Sequence, residues 1–275
     1  MTTYASTPID TETYTLRPGR VPLLISIPHL GTDLPPEFAA HMSDTAPLKQ
    51  DTDWHLDQLY GFATGLGASV LQAKVSRYVI DLNRPPGGES LYPGQTTTGL
   101  CPTETFRGEP LYAEAQAPDA AQQTDRLARY WQPYHGALRA ELDRLKAQHG
   151  AVLLWDAHSI AAVLPRLFEG QLPDLNFGTA DGRSCAPSII DSVVAHARSA
   201  RFSHVLNGRF KGGYITRHYG APDAGVHAIQ LEMAQHLYML EDPPFTYLEY
   251  KATSVQPLLQ KMLQQALAAL PGATA

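Results

Sequence analysis

Residues 152–159, V-L-L-W-D-A-H-S, constrain this chain more than any other stretch. Four apolar residues just after Gly150 predict a short buried strand, and a two-residue period sets Asp156 and His158 on one side where that strand runs out. An imidazole and a carboxylate closing a buried strand point to an open α/β sheet, in which ligands gather at the carboxyl ends of the strands.

The rest of the chain repeats the pattern of an apolar run that stops at polar residues. Residues 21–27, V-P-L-L-I-S-I, predict a strand ending in P-H-L-G-T-D-L-P, where Pro28 and Gly31 shape a loop that presents His29, with Asp33 four residues on as a candidate partner. Helical spacing over 51–67 predicts a helix with Asp51 as its N-cap; Asp51 and Asp53 are either capping acids or, for one of them, a metal ligand. Strands are expected at 68–73 and 78–82, the second opening into Asn83 and Arg84, a pair suited to clamping a carboxylate. Residues 85–110 read as a long loop over the cleft, and 119–149 as a helix kinked at Pro133. An irregular segment containing P-D-L-N-F-G-T precedes a helix at 187–199 and a strand at 203–206. The glycine-rich segment 207–220 gathers Arg209, Lys211, Arg217 and His218 with Tyr214, a composition that suits close approach of an anion. Residues 226–233 predict a last strand, with Glu232 as a carboxylate that is costly there unless paired or working. An amphipathic helix at 253–270 closes the chain. No repeat or linker divides it, so one domain spanning 1–275 is expected.

Charge narrows the partners. A formal net charge of -6 with no basic run disfavours nucleic acid and anionic membranes, and points to a small substrate. If that substrate is anionic, a few focused cations in a cleft must hold it. Cys101 and Cys185 match neither a disulfide framework nor a C-x-x-C pattern, and the start shows no basic region followed by an apolar core. A cytoplasmic protein with reduced thiols is the resulting expectation. G-x-S-x-G, G-x-x-x-x-G-K-[ST], G-x-G-x-x-G and H-E-x-x-H are all missing, which leaves a metal site assembled from separate strand ends. A zinc hydrolase needs three ligands from His, Asp or Glu and a separate carboxylate for proton transfer, and the strand ends offer those parts.

P-H-L-G-T at 28–32, D-T-D-W-H-L-D-Q-L-Y at 51–60, S-R-Y-V-I-D-L-N-R-P at 76–85, W-D-A-H-S at 155–159, N-G-R-F-K-G-G-Y-I-T-R-H-Y-G at 207–220 and H-A-I-Q-L-E-M at 227–233 together resemble the N-formylglutamate amidohydrolase family, in collinear order over nearly the whole chain. The resemblance implies a three-layer α/β fold with a mixed central sheet flanked by helices, similar to the zinc-dependent exopeptidases. It also implies metal-dependent hydrolysis of N-formyl-L-glutamate to formate and L-glutamate, the last step of a histidine degradation route, with Zn2+ or another divalent ion such as Co2+. Carried over by position, His29, Asp53 and His158 are the metal ligands, Asp53 being preferred because Asp51 suits the N-cap. Glu232 is then the base, and Asn83 with Arg84 holds a substrate carboxylate. Arg217 or His218 stabilises the oxyanion, Arg217 or Lys211 forms a second clamp with Tyr214 nearby, and Asp156 orients a ligand from behind. The chain departs from the exopeptidases in lacking H-x-x-E after His29. Two other readings are a deacylase of another N-acyl acidic amino acid and a non-catalytic binder of acidic small molecules.

Overall fold

The computed structural model describes residues 8–92 and 94–272. Strands β1 (Ile9–Asp10), β2 (Tyr14–Arg17), β3 (Leu23–Ile27), β4 (Ser69–Ala73), β5 (Val152–Ile160), β6 (Leu175–Gly178), β7 (His204–Leu206) and β8 (Val226–Ala234) form one sheet in the order β1-β2-β4-β3-β5-β8-β6-β7. The centre, β4-β3-β5-β8, is parallel; β2 and β6 join it antiparallel on either side. The result is a three-layer α/β fold with a mixed central sheet flanked by helices.

Each face of the sheet has its own core. Leu23, Ile25, Leu153 and Trp155 pack with Ile189 and Val193 of the helix Pro187–Ser199 and with Val255, Leu259 and Met262 of the helix Glu249–Ala268. Leu24, Val152, Leu154 and Ala228 pack on the other face with Tyr134, Leu138 and Leu142 of the helix Gln132–His149. Because alternate residues feed two cores, β5 and β8 are buried along their whole length, as expected of central parallel strands.

The second face carries the function. Along β5 the series Val152, Leu154, Asp156, His158 turns from apolar to polar halfway, and along β8 the series Val226, Ala228, Gln230, Glu232 does the same. The two strands pair in register, Asp156 opposite Gln230 and His158 opposite Glu232. Their apolar halves are covered by Tyr134 and Leu138, while His158, Gln230 and Glu232 line a pocket.

Several local expectations are corrected. Residues 51–67 are not one helix: turns lead into the short helices Leu56–Leu59 and Ala63–Leu66, because His55 takes a left-handed backbone conformation, φ 60°, that stops a helix from running through it. Asp51 does not cap; its carboxylate accepts a hydrogen bond from the Phe106 N–H at 2.9 Å. Residues 78–82 are a buried turn and not a strand, for β4 already has β2 and β3 on its two edges. Within 207–220, Tyr214–Tyr219 form a helix, and Leu175–Gly178 form β6 inside the segment read as irregular. Helix continues across Pro133 behind a π-helical turn at Leu127–Trp131, which absorbs the break the proline imposes on the hydrogen-bond ladder. No helix among the described residues is long and apolar enough to cross a membrane.

Candidate active site

Three parallel strands deliver the central residues. β3 ends just before His29, and β5 and β8 carry His158 and Glu232 close to their own carboxyl ends. Asp53 comes from the turn after Asp51, and its N–H donates to the His29 carbonyl at 3.0 Å, which ties the two loops together by backbone. All four side chains are buried, none more than 8% exposed.

His29, Asp53 and His158 each offer a ligand atom within 4.8 Å of the others. The Nδ1 atoms of His29 and His158 lie 3.7 and 3.0 Å from the same oxygen, Asp53 Oδ2. Their Nε2 atoms face carboxylates behind them: Asp81 Oδ1 at 2.7 Å for His29 and Asp156 Oδ1 at 3.1 Å for His158. The hydrogen bond to Asp81 orients the His29 ring with its opposite nitrogen toward Asp53, and Asp156 sets a negative charge behind the His158 ring, the arrangement found around metal-ligating histidines.

Charge accounting supports the same reading. Asp53, Asp81, Asp156 and Glu232 are buried together, with Arg77 as a buried cation 2.7 Å from Asp81 Oδ2 and 3.8 Å from Asp53 Oδ1, and Arg84 at 4.0 Å from Asp81 Oδ2. Burial alone would raise Asp53, but hydrogen bonds from His158 and His29 hold it below the usual carboxylate range. Burial alone would depress His158, yet the Asp156 and Asp53 carboxylates raise it well above an ordinary imidazole. Protons thus supply positive charge that this cluster demands, and a divalent cation would supply it instead. The donor set fits a metal such as Zn2+, which takes imidazole nitrogen and carboxylate oxygen and keeps a further position open in catalytic sites.

Glu232 faces the same pocket. Burial pushes its carboxyl up to about 8, and a neighbouring cation would bring it down again. Its nearest side-chain donor is Gln230 Nε2 at 3.5 Å, while Gln230 Oε1 accepts from the Gly213 N–H at 2.6 Å. A side chain at Gly213 would run into the Asn83 amide, so this crossing needs glycine.

The remaining expected residues divide. Asn83 lines the pocket, but its amide is engaged elsewhere: Nδ2 lies 2.9 Å from His158 Nε2 and 3.3 Å from Asp156 Oδ2, and Oδ1 accepts from the Ile215 N–H. Arg84 also lines the pocket, with its guanidinium held by the Thr98 carbonyl and hydroxyl at 2.9 and 3.2 Å. Lys211, Tyr214, Arg217 and His218 are not brought into it. Lys211 pairs with Asp181 at 3.1 Å near the surface, and Arg217 Nε returns to the Gly212 carbonyl. Tyr214 and His218, four apart on one short helix, stack with ring centroids 4.8 Å apart, with Tyr214 also against Trp131 and His135. Asp33 donates and accepts through its backbone to the 74–76 segment and is not in the cluster.

The residues that sequence reasoning missed are Arg77, Asp81, Gln230 and the placement of Arg209. Gln230 was detectable, as a polar residue on the same face as Glu232. Asp81 was hidden because a strand at 78–82 would have made it one face of a ladder. Its role carries a test. Asp81→Asn removes the charge that orients His29 and balances Arg77, and is expected to weaken divalent metal binding by about 10- to 100-fold in chelator competition. It should also lower stability by about 3–5 kcal/mol in denaturant melts, because Arg77 is left without its nearest carboxylate.

Residues 21–239 match the family model described as N-formylglutamate amidohydrolase. An N-formylglutamate deformylase of Pseudomonas putida is 52% identical over 251 residues, covering 91% of this chain and 94% of the relative. One of Pseudomonas aeruginosa is 50% identical over 258 residues, covering 94% and 97%. Among solved structures, the N-formylglutamate amidohydrolase of Ralstonia eutropha superposes with a TM-score of 0.79 at 26% identity, over 96% of this chain and 100% of that one. A gene product of Agrobacterium tumefaciens shares the fold, with a TM-score of 0.71 at 16% identity over 94% and 96%.

Proposed function

The chain belongs to the N-formylglutamate amidohydrolase family and hydrolyses N-formylglutamate, and from that premise we propose that it does so with one divalent metal held by His29, Asp53 and His158 and with Glu232 as the proton carrier. The observation that carries this reading is the buried pair of histidines that face one Asp53 oxygen and are each backed by a carboxylate. When bound there, a metal such as Zn2+, or Co2+ in its place, polarises the formyl carbonyl and acidifies a water.

The chain's own residues do the rest. Glu232 takes the proton of the attacking water and passes it to the amide nitrogen, so that glutamate leaves as an amine and formate as the acid. Gln230, anchored by Gly213, stands beside that carboxyl. Asp81 and Asp156 hold the two imidazoles in orientation, and Asn83 braces His158 from the side of the 213–215 backbone. Arg84 presents a guanidinium for the carboxylate next to the scissile amide. Phe106, Ile160 and Leu167 give the pocket an apolar wall that excludes bulk water and strengthens these charges. We further place the enzyme as one domain in the cytoplasm, at the formate-releasing end of histidine breakdown.

The test is formate release from N-formyl-L-glutamate by the metal-loaded protein, with chelated protein and N-acetyl-L-glutamate as controls. Chelator-sensitive release confined to the formyl substrate is expected, with metal restoring activity. Release unaffected by chelation together with protein free of metal would overturn the metal reading.

A further inference from the structure

The pocket contains three arginines, and the protein neutralises only one of them closely. Arg77 sits on Asp81 at 2.7 Å, whereas the nearest carboxylate to Arg84 is Asp81 at 4.0 Å. Arg209 has no carboxylate at ion-pair distance among the described residues. Its Nε donates to the Leu167 carbonyl at 3.1 Å and its Nη2 to the Thr96 carbonyl at 3.3 Å, and no contact among the described residues occupies its Nη1. The Tyr92 and Phe210 rings lie 5.6 and 5.3 Å from its guanidinium carbon. Burial disfavours its charge; Tyr92 and Glu232 act to keep it, and Arg84 opposes it.

Holding two guanidiniums in one apolar-walled pocket, with no carboxylate at ion-pair distance from Arg209 among the described residues, is costly, and an anionic ligand relieves that cost. One segment, 96–98, holds both cations. It anchors Arg209 through the Thr96 carbonyl and Arg84 through Thr98, so the anchors are at most about 7 Å apart along the chain. Arg84 is at the metal end, beside Asp81 and Asn83, which contact the two histidines. Arg209 is held by a different set of residues, the Leu167 and Thr96 carbonyls, beside the Tyr92 and Phe210 rings.

We propose that Arg209 binds the side-chain carboxylate of the substrate, so that the Arg84–Arg209 pair, spaced by residues 96–98, selects N-formyl amino acids that carry a second carboxylate. This rests on the deformylase reading above and names the residue that gives it its specificity. It also replaces Lys211 and Arg217, which are committed to Asp181 and to the Gly212 carbonyl.

The experiment compares kcat/KM for N-formyl-L-glutamate and N-formyl-L-glutamine in the metal-loaded wild type, R209M and R209K, with circular dichroism and metal content as checks on folding. The wild type is expected to prefer the glutamate substrate. R209M should lose roughly 10- to 100-fold on that substrate, the size of a charge-assisted bidentate contact, and only a few-fold on the glutamine substrate. R209K, which keeps the charge but not the planar fork, should lose less and retain part of the preference. Equal losses on both substrates overturn the assignment, and if R209M does not fold, R209K decides it by the same ratio. A wild type inactive on both substrates overturns the deformylase reading itself, a result distinct from an active enzyme whose preference survives in both variants.

Discussion

Glu232→Gln is expected to give a folded protein that binds its metal and has lost formate release by roughly 10²- to 10⁴-fold, the contribution of one well-placed general base. The substitution keeps the shape of the side chain, and the Glu232 carbonyl still accepts from Asn176 Nδ2 at 3.1 Å, so the pairing of β8 with β6 is untouched. Only the proton acceptor is gone. Because Glu232 is not among the three clustered ligand residues, metal content by mass spectrometry should stay at the wild-type level. Formate release is the readout, and a Gln variant within a few-fold of wild type would remove Glu232 from the mechanism.

The same variant has a stability signature in the metal-free protein. Burial raises the folded-state pKa of Glu232 from 4.5 to about 8. Below pH 4.5 the carboxyl is protonated whether the chain is folded or not, and it costs nothing. Between pH 4.5 and 8 the unfolded chain ionises while the folded one holds its proton, so this group removes stability steadily as pH rises, and above 8 the loss is complete. Metal-free Glu232→Gln should therefore melt above metal-free wild type near pH 8, with the gap closing towards pH 4.5.

The second large effect separates two acids two positions apart. Asp53→Asn should weaken metal binding by roughly 10²- to 10⁴-fold, one of three ligands' share of a total of about 10–16 kcal/mol, and formate release should fall with it. Asp51→Asn should keep the metal. Asp51 faces a different pocket, with Phe106 and Arg107, and burial raises its carboxyl to about 6 while its Oδ2 secures the Phe106 N–H. Its loss is a matter of loop anchoring, worth about 1–3 kcal/mol. Metal titration of the two variants side by side checks both, and metal loss in Asp51→Asn with retention in Asp53→Asn would reverse the ligand assignment.

These two acids show where reading from sequence stops. Capping preference ranked Asp53 over Asp51, yet the helix that preference assumed is interrupted at His55, and Asp51 caps nothing. The ranking rested on a local rule, whereas in the structure Asp53 is placed by its N–H on the His29 carbonyl and by the Ser159 N–H on its Oδ2. Likewise the basic segment 207–220 was visible as a cluster of cations, but which of them enters the pocket depends on the helix beginning at Tyr214. That helix turns Tyr214 toward Trp131 and His135, stacks His218 on Tyr214, and leaves Arg209 as the cation of that segment at the pocket.

By itself the sequence determined the strand cores and the faces of their polar ends. A buried strand declares its two sides with a period of two, so Asp156 with His158, and Gln230 with Glu232, could be read as shared faces before any partner was known. Only the tertiary structure decided which segments meet at those faces. Asp81 reaches His29 across 52 positions, Asp53 reaches His158 across 105, and Ile215 reaches Asn83 across 132. The physical reason is that hydrophobic burial and backbone pairing are nearly indifferent to which distant polar residue arrives, while a buried charge is not. Its desolvation must be met by a specific partner, and that partner is fixed by how the layers pack rather than by spacing along the chain.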